Sequence, residues 1–279
     1  MSGLRYVYAI CRPLGSTTLP SQLTGVAGVP PKQLTHHGLV AIVSAVPEED
    51  FSEEPLKAHL EDLDWLSATA RAHQSVIDAL TVVTSPLPLR LATVFRDDSG
   101  VRTMMETQEE TFRRTLNRIE GRVEWGVKVY AEFSESSEAS EVSNSPRSSE
   151  ASGPTEISED TGAKSVKVGS GRDYLRQRRQ QRRAHEDKWE QAEEFARRLH
   201  GALSRFAEDT RIHAPQNPAL SRASGRNVLN AAYLVPRAES EEFVELVDRT
   251  KGDEPGLRVE LTGPWAAYSF SGPAGQEGA

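Results

Sequence analysis

The sequence predicts an α+β protein in which helices pack on one face of antiparallel sheets. Three observations favour this class. Alternating apolar residues near both ends of the chain indicate strands. Longer segments with apolar residues three and four positions apart indicate amphipathic helices. The chain has 279 residues, about twice a common domain length, and a segment poor in large apolar residues divides it, which favours two domains.

The first predicted elements are two strands followed by helical sequence. Residues 4–10 (LRYVYAI) show the period of two that is typical of a strand, and Pro13 ends the run. Residues 38–46 (GLVAIVSAV) are apolar on both faces, which predicts a central strand covered on both sides. Residues 54–84 have helical apolar spacing and form either one long helix or two helices joined near Asp64.

Prolines end this helical sequence, and the run LPLRLATVF that follows is predicted to be extended or irregular. A second amphipathic helix is predicted over residues 101–119, with Gly121 as its terminator. Residues 123–133 (VEWGVKVYAEF) then alternate between apolar and charged side chains over most of their length. This alternation predicts a half-buried strand.

The composition changes abruptly after this strand. Residues 134–170 consist largely of Ser, Glu, Gly, Pro and Thr and contain almost no large apolar residue, which predicts a flexible acidic linker. Residues 172–211 contain no proline and a single glycine, Gly201, so a long helix is predicted there. An apolar stripe begins only at Trp189. The first half of this helix is therefore expected to extend into solvent or onto a partner.

The last third of the chain predicts three further strands and one helix. The strands are expected at residues 227–235, 257–261 and 265–270, with Gly263 and Pro264 forming the turn between the last two. Residues 239–250 have helical spacing.

These elements predict a simple division of the chain. An N-terminal α+β domain is expected over residues 1–133, followed by the linker over 134–170. A C-terminal α+β domain is expected over 171–271, and a flexible tail over 272–279.

Charge and composition limit the possible functions. Asp and Glu number 41 against 33 Lys and Arg, a formal net charge of -8, which disfavours binding of the whole molecule to nucleic acid or to an anionic membrane. The single cysteine, Cys11, and the lack of zinc-ligand spacing agree with a reducing cytosol. The longest apolar run is far shorter than the ~20 residues that cross a bilayer. No signal peptide or phosphate-binding loop is recognisable, and no cofactor or metal is expected.

Several single residues could carry chemistry, but each has a simpler structural interpretation. His73 lies on an apolar helical stripe and is expected to be a satisfied, half-buried histidine. Cys11 is expected to be a core thiol, and His36 and His37 to lie in a loop. Arg90 stands in an apolar run and is expected to pair with an internal carboxylate. An enzyme would require a pocket in which Arg90, His73 and a carboxylate converge.

The strongest local signal is a group of arginines at the start of the long helix, with Asp173 as the only opposing charge. The group consists of Arg172, Arg176, Arg178, Arg179, Arg182 and Arg183. It could bind nucleic acid phosphates, an acidic protein surface or the acidic linker of this chain. Because Tyr174 is the only nearby aromatic residue for base stacking, a protein surface is favoured and a nucleic-acid-binding regulator is the alternative.

Several segments together resemble the gas vesicle protein F/L family. In the first half these are RYVYAI, GLVAIVSAV, WLSATARAHQSVID, LPLRLATVF and EWGVKVY. GRDYLRQRR, LNAAYLV and GLRVELTGPWAAYSF continue the resemblance in the same order after the linker. LTGPWAAYSF departs from the pattern, because members often have prolines before its tyrosine.

The resemblance implies two α+β domains, the second a modified ferredoxin-like fold. It also implies a non-enzymatic minor component of gas vesicle assembly, located in the cytoplasm and on the gas vesicle. The implied partners are the small hydrophobic shell protein and other accessory proteins, with neither a membrane nor a cofactor.

Overall fold

The structure is a computed structural model that describes residues 3–15, 19–20, 22–133, 171–215 and 225–272. For residues 171–174, 177, 181 and 184 it describes the backbone alone. The predicted linker and the predicted tail beyond residue 272 lie outside the described residues.

The first part of the chain builds a mixed unit of strands and helices. Its elements are β1 (Leu4–Cys11), β2 (Lys32–His36), β3 (Leu39–Val46), α1 (Glu48–Phe51), α2 (Glu53–Glu61), α3 (Leu63–Val83), β4 (Leu87–Pro88), β5 (Val94–Phe95), α4 (Asp98–Thr107) and α5 (Glu109–Ile119). β2, β3, β1 and β4 lie side by side in that order, and β5 also pairs with β1, all antiparallel. The strands predicted at 4–10 and 38–46 are confirmed as β1 and β3.

The second sheet has the topology of a ferredoxin-like unit. Its elements are β6 (Arg122–Ala131), α6 (Gly171–Leu203), β7 (Asp209–Ile212), β8 (Arg226–Pro236), α7 (Ser240–Thr250) and β9 (Leu257–Trp265). The chain order is therefore βαββαβ, and the antiparallel strands lie in the order β7-β8-β6-β9. The predicted α+β class with two antiparallel sheets is confirmed.

The position of β6 bears on the predicted domain limits. This strand precedes residues 134–170, yet it pairs with both β8 and β9 in the middle of the second sheet. The two sheets are thus separated along the chain between α5 and β6 and not at residues 134–170. The predicted domain limits themselves stay a prediction.

Two apolar clusters cover the two faces of the second sheet. On one face, α6 and α7 pack through Phe195, Leu199 and Phe243 against strand residues such as Val127 and Tyr233. On the other face, a second cluster joins sheet residues such as Leu234 to the first unit. Its members include Ile10, Leu116, Ile119, Ala232, Ala267 and Phe270. The two sheets therefore share a continuous apolar contact.

Each of the two N-terminal segments predicted to be helical contains two helices in the structure. α2 and α3 meet at Asp62, whose Oδ1 accepts hydrogen bonds from the backbone N–H groups of Asp64 (2.9 Å) and Trp65 (3.2 Å). Of the two alternatives for residues 54–84, two helices are correct. The single helix predicted over 101–119 is wrong, because the backbone leaves the helical region at Gln108 between α4 and α5.

Two C-terminal predictions also require correction. The long helix ends at Leu203 and not near Arg211, and residues 209–212 form β7. Phe206 continues the apolar stripe from a turn beyond the helix, which explains the error. The strand predicted at 265–270 is wrong as well: β9 continues to Trp265, and Tyr268–Phe270 form a 3₁₀ turn. None of the helices in the described residues is apolar and long enough to span a membrane.

Candidate functional site

Cys11 has no nucleophilic character in this fold. Its side chain at the end of β1 is fully buried, and burial raises the pKa of the thiol to about 12. A thiolate is the reactive form of cysteine, so the group is inert at neutral pH. The prediction of a core thiol is confirmed.

His73 is buried among tyrosines on α3. Its Nδ1 lies 2.9 Å from the hydroxyl of Tyr6, and the backbone N–H of Ala92 also donates to that hydroxyl at 3.1 Å. Burial lowers the pKa of the imidazole to about 4. The predicted hydrogen bond is present at Nδ1, but Nε2 has no partner among the described residues. His73 was predicted to be half-buried and is only 3% exposed, so it lies deeper than predicted.

The remaining predicted candidates do not form a catalytic or metal site. Arg90 is exposed and has no ion pair within the described part of the chain, so the expected pairing with an internal carboxylate is wrong. The rings of His36 and His37 stack with 4.2 Å between their centroids. His37 lies in the turn after β2, as predicted, and its Nδ1 lies 3.0 Å from Glu109 Oε2. His36 is the last residue of β2, so the prediction of a loop is wrong for this residue. Within the described ranges, no three metal-ligating side chains come together.

Glu124 makes one of the buried polar contacts in the described residues that the sequence did not predict. Glu124 on β6 is 8% exposed, and its carboxylate accepts hydrogen bonds from the Ser269 backbone N–H (2.8 Å) and hydroxyl (2.6 Å). Burial raises the pKa of this carboxyl group. No local signal marked this burial, because Glu124 belongs to the charged side of the alternation in residues 123–133.

His213 extends this contact without making it a nucleophilic site. Its Nε2 lies 3.1 Å from the Ser269 hydroxyl, and burial and the nearby Arg211 lower the pKa of the imidazole. Because the hydroxyl donates its proton to Glu124, the histidine does not act as its base, in contrast to a catalytic triad. The contact holds the Tyr268–Phe270 turn against β6.

The predicted arginine group lies on the exposed first half of α6. The side chains of Arg176, Arg178, Arg179, Arg182 and Arg183 are all exposed, and that of Arg172 lies outside the described side chains. The helix begins to bury side chains on the sheet at Ala192. These arginines therefore lie on a part of α6 that does not pack against the second sheet, as the missing apolar stripe predicted. Their side chains are accessible to a partner.

Edge strands provide the other accessible surface. β2 ends the first sheet, and β7 and β9 end the second. The exposed side chains of β2 are polar, whereas β9 presents Trp265 at 40% exposure together with the half-buried Leu257 and Leu261. An edge strand offers unpaired backbone donors and acceptors to an added strand. β9 combines this property with apolar side chains along nine residues, whereas the four-residue β7 exposes a single one, Ile212 at 66%.

Comparison with known proteins agrees with the fold and identifies a family. The family model "Gas vesicle synthesis protein GvpL/GvpF" matches residues 4–272. Gas vesicle protein L of Streptomyces sp. (strain CB03234) is 52% identical over 274 residues, which cover 98% of this chain and 95% of that protein.

Two further similarities extend the comparison. Gas vesicle protein F of the same Streptomyces strain is 27% identical over 268 residues, covering 95% of this chain and 98% of that protein. The crystal structure of GvpF from Anabaena sp. PCC7120 has the same fold, with a TM-score of 0.61, 16% identity and full coverage of both chains.

The family match and the fold together indicate a mixed α+β protein with a role in gas vesicle assembly, and this family is not a known enzyme family. The chain belongs to the gas vesicle synthesis protein GvpL/GvpF family.

Proposed function

We propose that this chain acts in the cytoplasm as a non-catalytic partner of the gas vesicle shell protein and of other accessory proteins while the vesicle is being built. Family membership supports the setting, and the accessible β9 edge supports the mode of binding. A shell that encloses gas requires an apolar inner surface, so its subunits are prone to aggregate before they assemble. A partner that covers their apolar strands would keep them available for assembly.

We infer that β9 adds to a strand of the shell subunit. Main-chain hydrogen bonds would provide affinity, and the apolar side chains beside the edge would provide contacts that water cannot replace. The nine-residue length of β9 is sufficient for such an addition. The observation that carries this proposal is the exposed Trp265 on an edge strand of the second sheet.

Capture of purified shell protein tests the proposal with a matched pair of variants. Thr262→Lys with Trp265→Lys places two charges on exposed positions of β9, where lysine discourages strand addition. Gln33→Lys with Thr35→Lys makes the same charge change on exposed positions of β2. The β9 variant should lose capture and the β2 variant should retain it.

Salt distinguishes strand addition from charge-driven binding. Apolar burial and main-chain pairing survive high ionic strength, whereas contacts between exposed charges weaken as the Debye length falls to about 3 Å near 1 M salt. Capture by the unaltered chain should therefore persist at high salt. Loss of capture at high salt, or equal capture by the β9 variant, would refute strand addition at this edge.

A further inference from the structure

The side of α6 that points away from the sheet carries charge in two blocks of opposite sign. Residues three or four positions apart along a helix share a side. The stripe opposite the buried Ala192, Phe195 and Leu199 begins with a basic block, consisting of Arg176, Arg179 and Arg183. It continues with an acidic block, consisting of Asp187, Glu190 and Glu194. All six side chains are exposed.

The basic block is electrostatically unfavourable in the isolated helix. Like charges three or four positions apart on a helix repel each other. Within the described residues, none of the three arginines forms an ion pair, nor do Asp187 and Glu190. Glu194 is paired with Arg197 at 2.5 Å. An external acidic surface would relieve this repulsion between the arginines of the basic block.

The acidic block provides such a surface, and the spacing of the two blocks is symmetric about His185. Arg183 and Asp187 lie two residues before and after it, and Arg176 and Glu194 lie nine residues before and after it. Arg179 and Glu190 lie six and five residues away. A two-fold axis near His185 therefore places every arginine of one copy opposite an acid of the other.

We propose that two copies of this chain associate through antiparallel α6 helices with this axis. Arg183 then faces Asp187 of the other copy, Arg179 faces Glu190, and Arg176 faces Glu194. Each of these pairs forms twice by symmetry. The two helix macrodipoles lie antiparallel, which is also favourable. Space is available beside the acidic block, where an open depression of about 650 Å³ has Arg198 and Glu254 on its wall. This association is independent of the proposed strand addition at β9.

Charge order also explains why a second copy fits better than nucleic acid. A phosphate backbone carries one sign of charge along its whole length, so the acidic block would repel it next to the arginines that attract it. A helix of the same sequence in the opposite direction matches both blocks. Because the contact consists mainly of exposed charge pairs, the dimer should be weak and sensitive to salt.

The test measures the mass of the full chain by sedimentation with two opposite charge reversals. The first variant carries Arg176→Glu, Arg179→Glu and Arg183→Glu. The second carries Asp187→Lys, Glu190→Lys and Glu194→Lys. A third variant combines all six changes, and a control reverses three exposed arginines on other helices, Arg71, Arg102 and Arg114, to Glu. Circular dichroism checks that each variant is folded.

The unaltered chain and the control should dimerise at about 0.03 M salt and dissociate at about 0.5 M. The reason is that the Debye length falls from about 17 Å to about 4 Å between these two salt concentrations. At low salt, exposed pairs contribute up to about fivefold each to affinity, so six pairs together contribute up to about 10⁴-fold, which offsets the lower estimates of the cost of association. Reversal of either block should therefore weaken the dimer at least fiftyfold. Each triple variant should be monomeric alone, an equimolar mixture of the two should form heterodimers, and the sixfold variant should dimerise again.

Several results would overturn the proposal. These are a monomeric unaltered chain at low salt, a dimer that survives either triple reversal, and triple variants that remain monomeric when mixed. Restoration by the sixfold variant separates a loss of charge pairing from a loss of folding, because that variant carries every substitution of both others.

Discussion

Cleavage of the chain between residues 134 and 170 should leave two fragments that remain one particle. Cleavage at a specific protease site introduced into this segment would break the covalent link between β6 and the other strands of its sheet, but it would leave their hydrogen bonds and packing in place. β6 is held by pairing along ten residue positions with β8 and seven with β9. The fragment up to the cut contains the central strand of the sheet whose other strands lie in the second fragment.

The expected affinity follows from this contact. Burial of Val123, Val127 and Val129 contributes about 6 kcal/mol at about 2 kcal/mol each, and the backbone hydrogen bonds of the two ladders add more than about 10 kcal/mol at about 1 kcal/mol each. Association costs roughly 4–15 kcal/mol, and the shared apolar cluster between the sheets adds a further favourable term. These terms leave a favourable free energy of association of roughly 1–12 kcal/mol before the shared cluster is counted. With the cluster we expect association stronger than about -8 kcal/mol, which corresponds to a dissociation constant below about 1 µM.

Size-exclusion chromatography of the fully cleaved protein measures this directly. The two fragments should co-elute at the mass of the uncut chain and unfold in one transition with urea. Separate elution of two folded fragments at ~1 µM would refute the reasoning. It would support instead a domain boundary at residues 134–170.

Three other predictions concern glycine, histidine and nucleic acid. Gly225→Ala places a Cβ 2.6 Å from Ala131 O at a φ of +93°, so it should lower the free energy of unfolding in urea by about 1–3 kcal/mol. Gly201→Ala in α6 places a Cβ in open space and should raise that free energy by up to about 1 kcal/mol. Equal effects of the two substitutions would contradict this prediction. His73, with its pKa lowered to about 4, binds a proton more readily in the unfolded chain. The free energy of unfolding should therefore lose no contribution from this group above about pH 6.5 and should fall by about 3 kcal/mol as the pH is lowered to 4. His73→Gln should not show this fall. Parallel profiles of stability against pH for the two proteins would exclude this role of His73. In a mobility-shift assay at ~0.15 M salt, binding to duplex or single-stranded DNA should be weak; submicromolar binding would favour the regulator alternative.

Local sequence pattern predicted most of the elements because their periodicity is a local property. β1, β3, β8 and α7 lie where alternation or helical spacing placed them. The break at Gln108 could not be read in this way, because Met105 and Phe112 keep the same helical phase on both sides of it. A kink that preserves the phase of the apolar stripe leaves no trace in the pattern.

Pairing between distant strands is the part that the sequence could not supply. The alternation in residues 123–133 predicts a strand, but it does not indicate whether the partners lie before or after the strand in the chain. The same limit applies to Glu124, which belongs to the charged side of this alternation and is nevertheless buried. Its burial depends on Ser269, 145 residues later, which covers that face and hydrogen-bonds the carboxylate.

The candidate surfaces could be predicted only in part from the sequence. The arginine group and the missing apolar stripe predicted an exposed first half of α6, and the structure agrees. The exposed β9 edge was not predictable, because the strand after Gly263 and Pro264 was placed separately. In the structure β9 continues through these two residues to Trp265.

Electron microscopy of vesicles tests the central claim most directly. The host carries an otherwise intact gas vesicle gene cluster in which the gene for this chain is deleted and then restored in one of three forms: unaltered, with the β9 substitutions, or with the β2 substitutions. The account predicts few or no vesicles in the deletion and with the β9 variant, and normal number and shape with the other two. Normal vesicles in the deletion strain, together with no capture of shell protein by the purified chain, would contradict the assembly role.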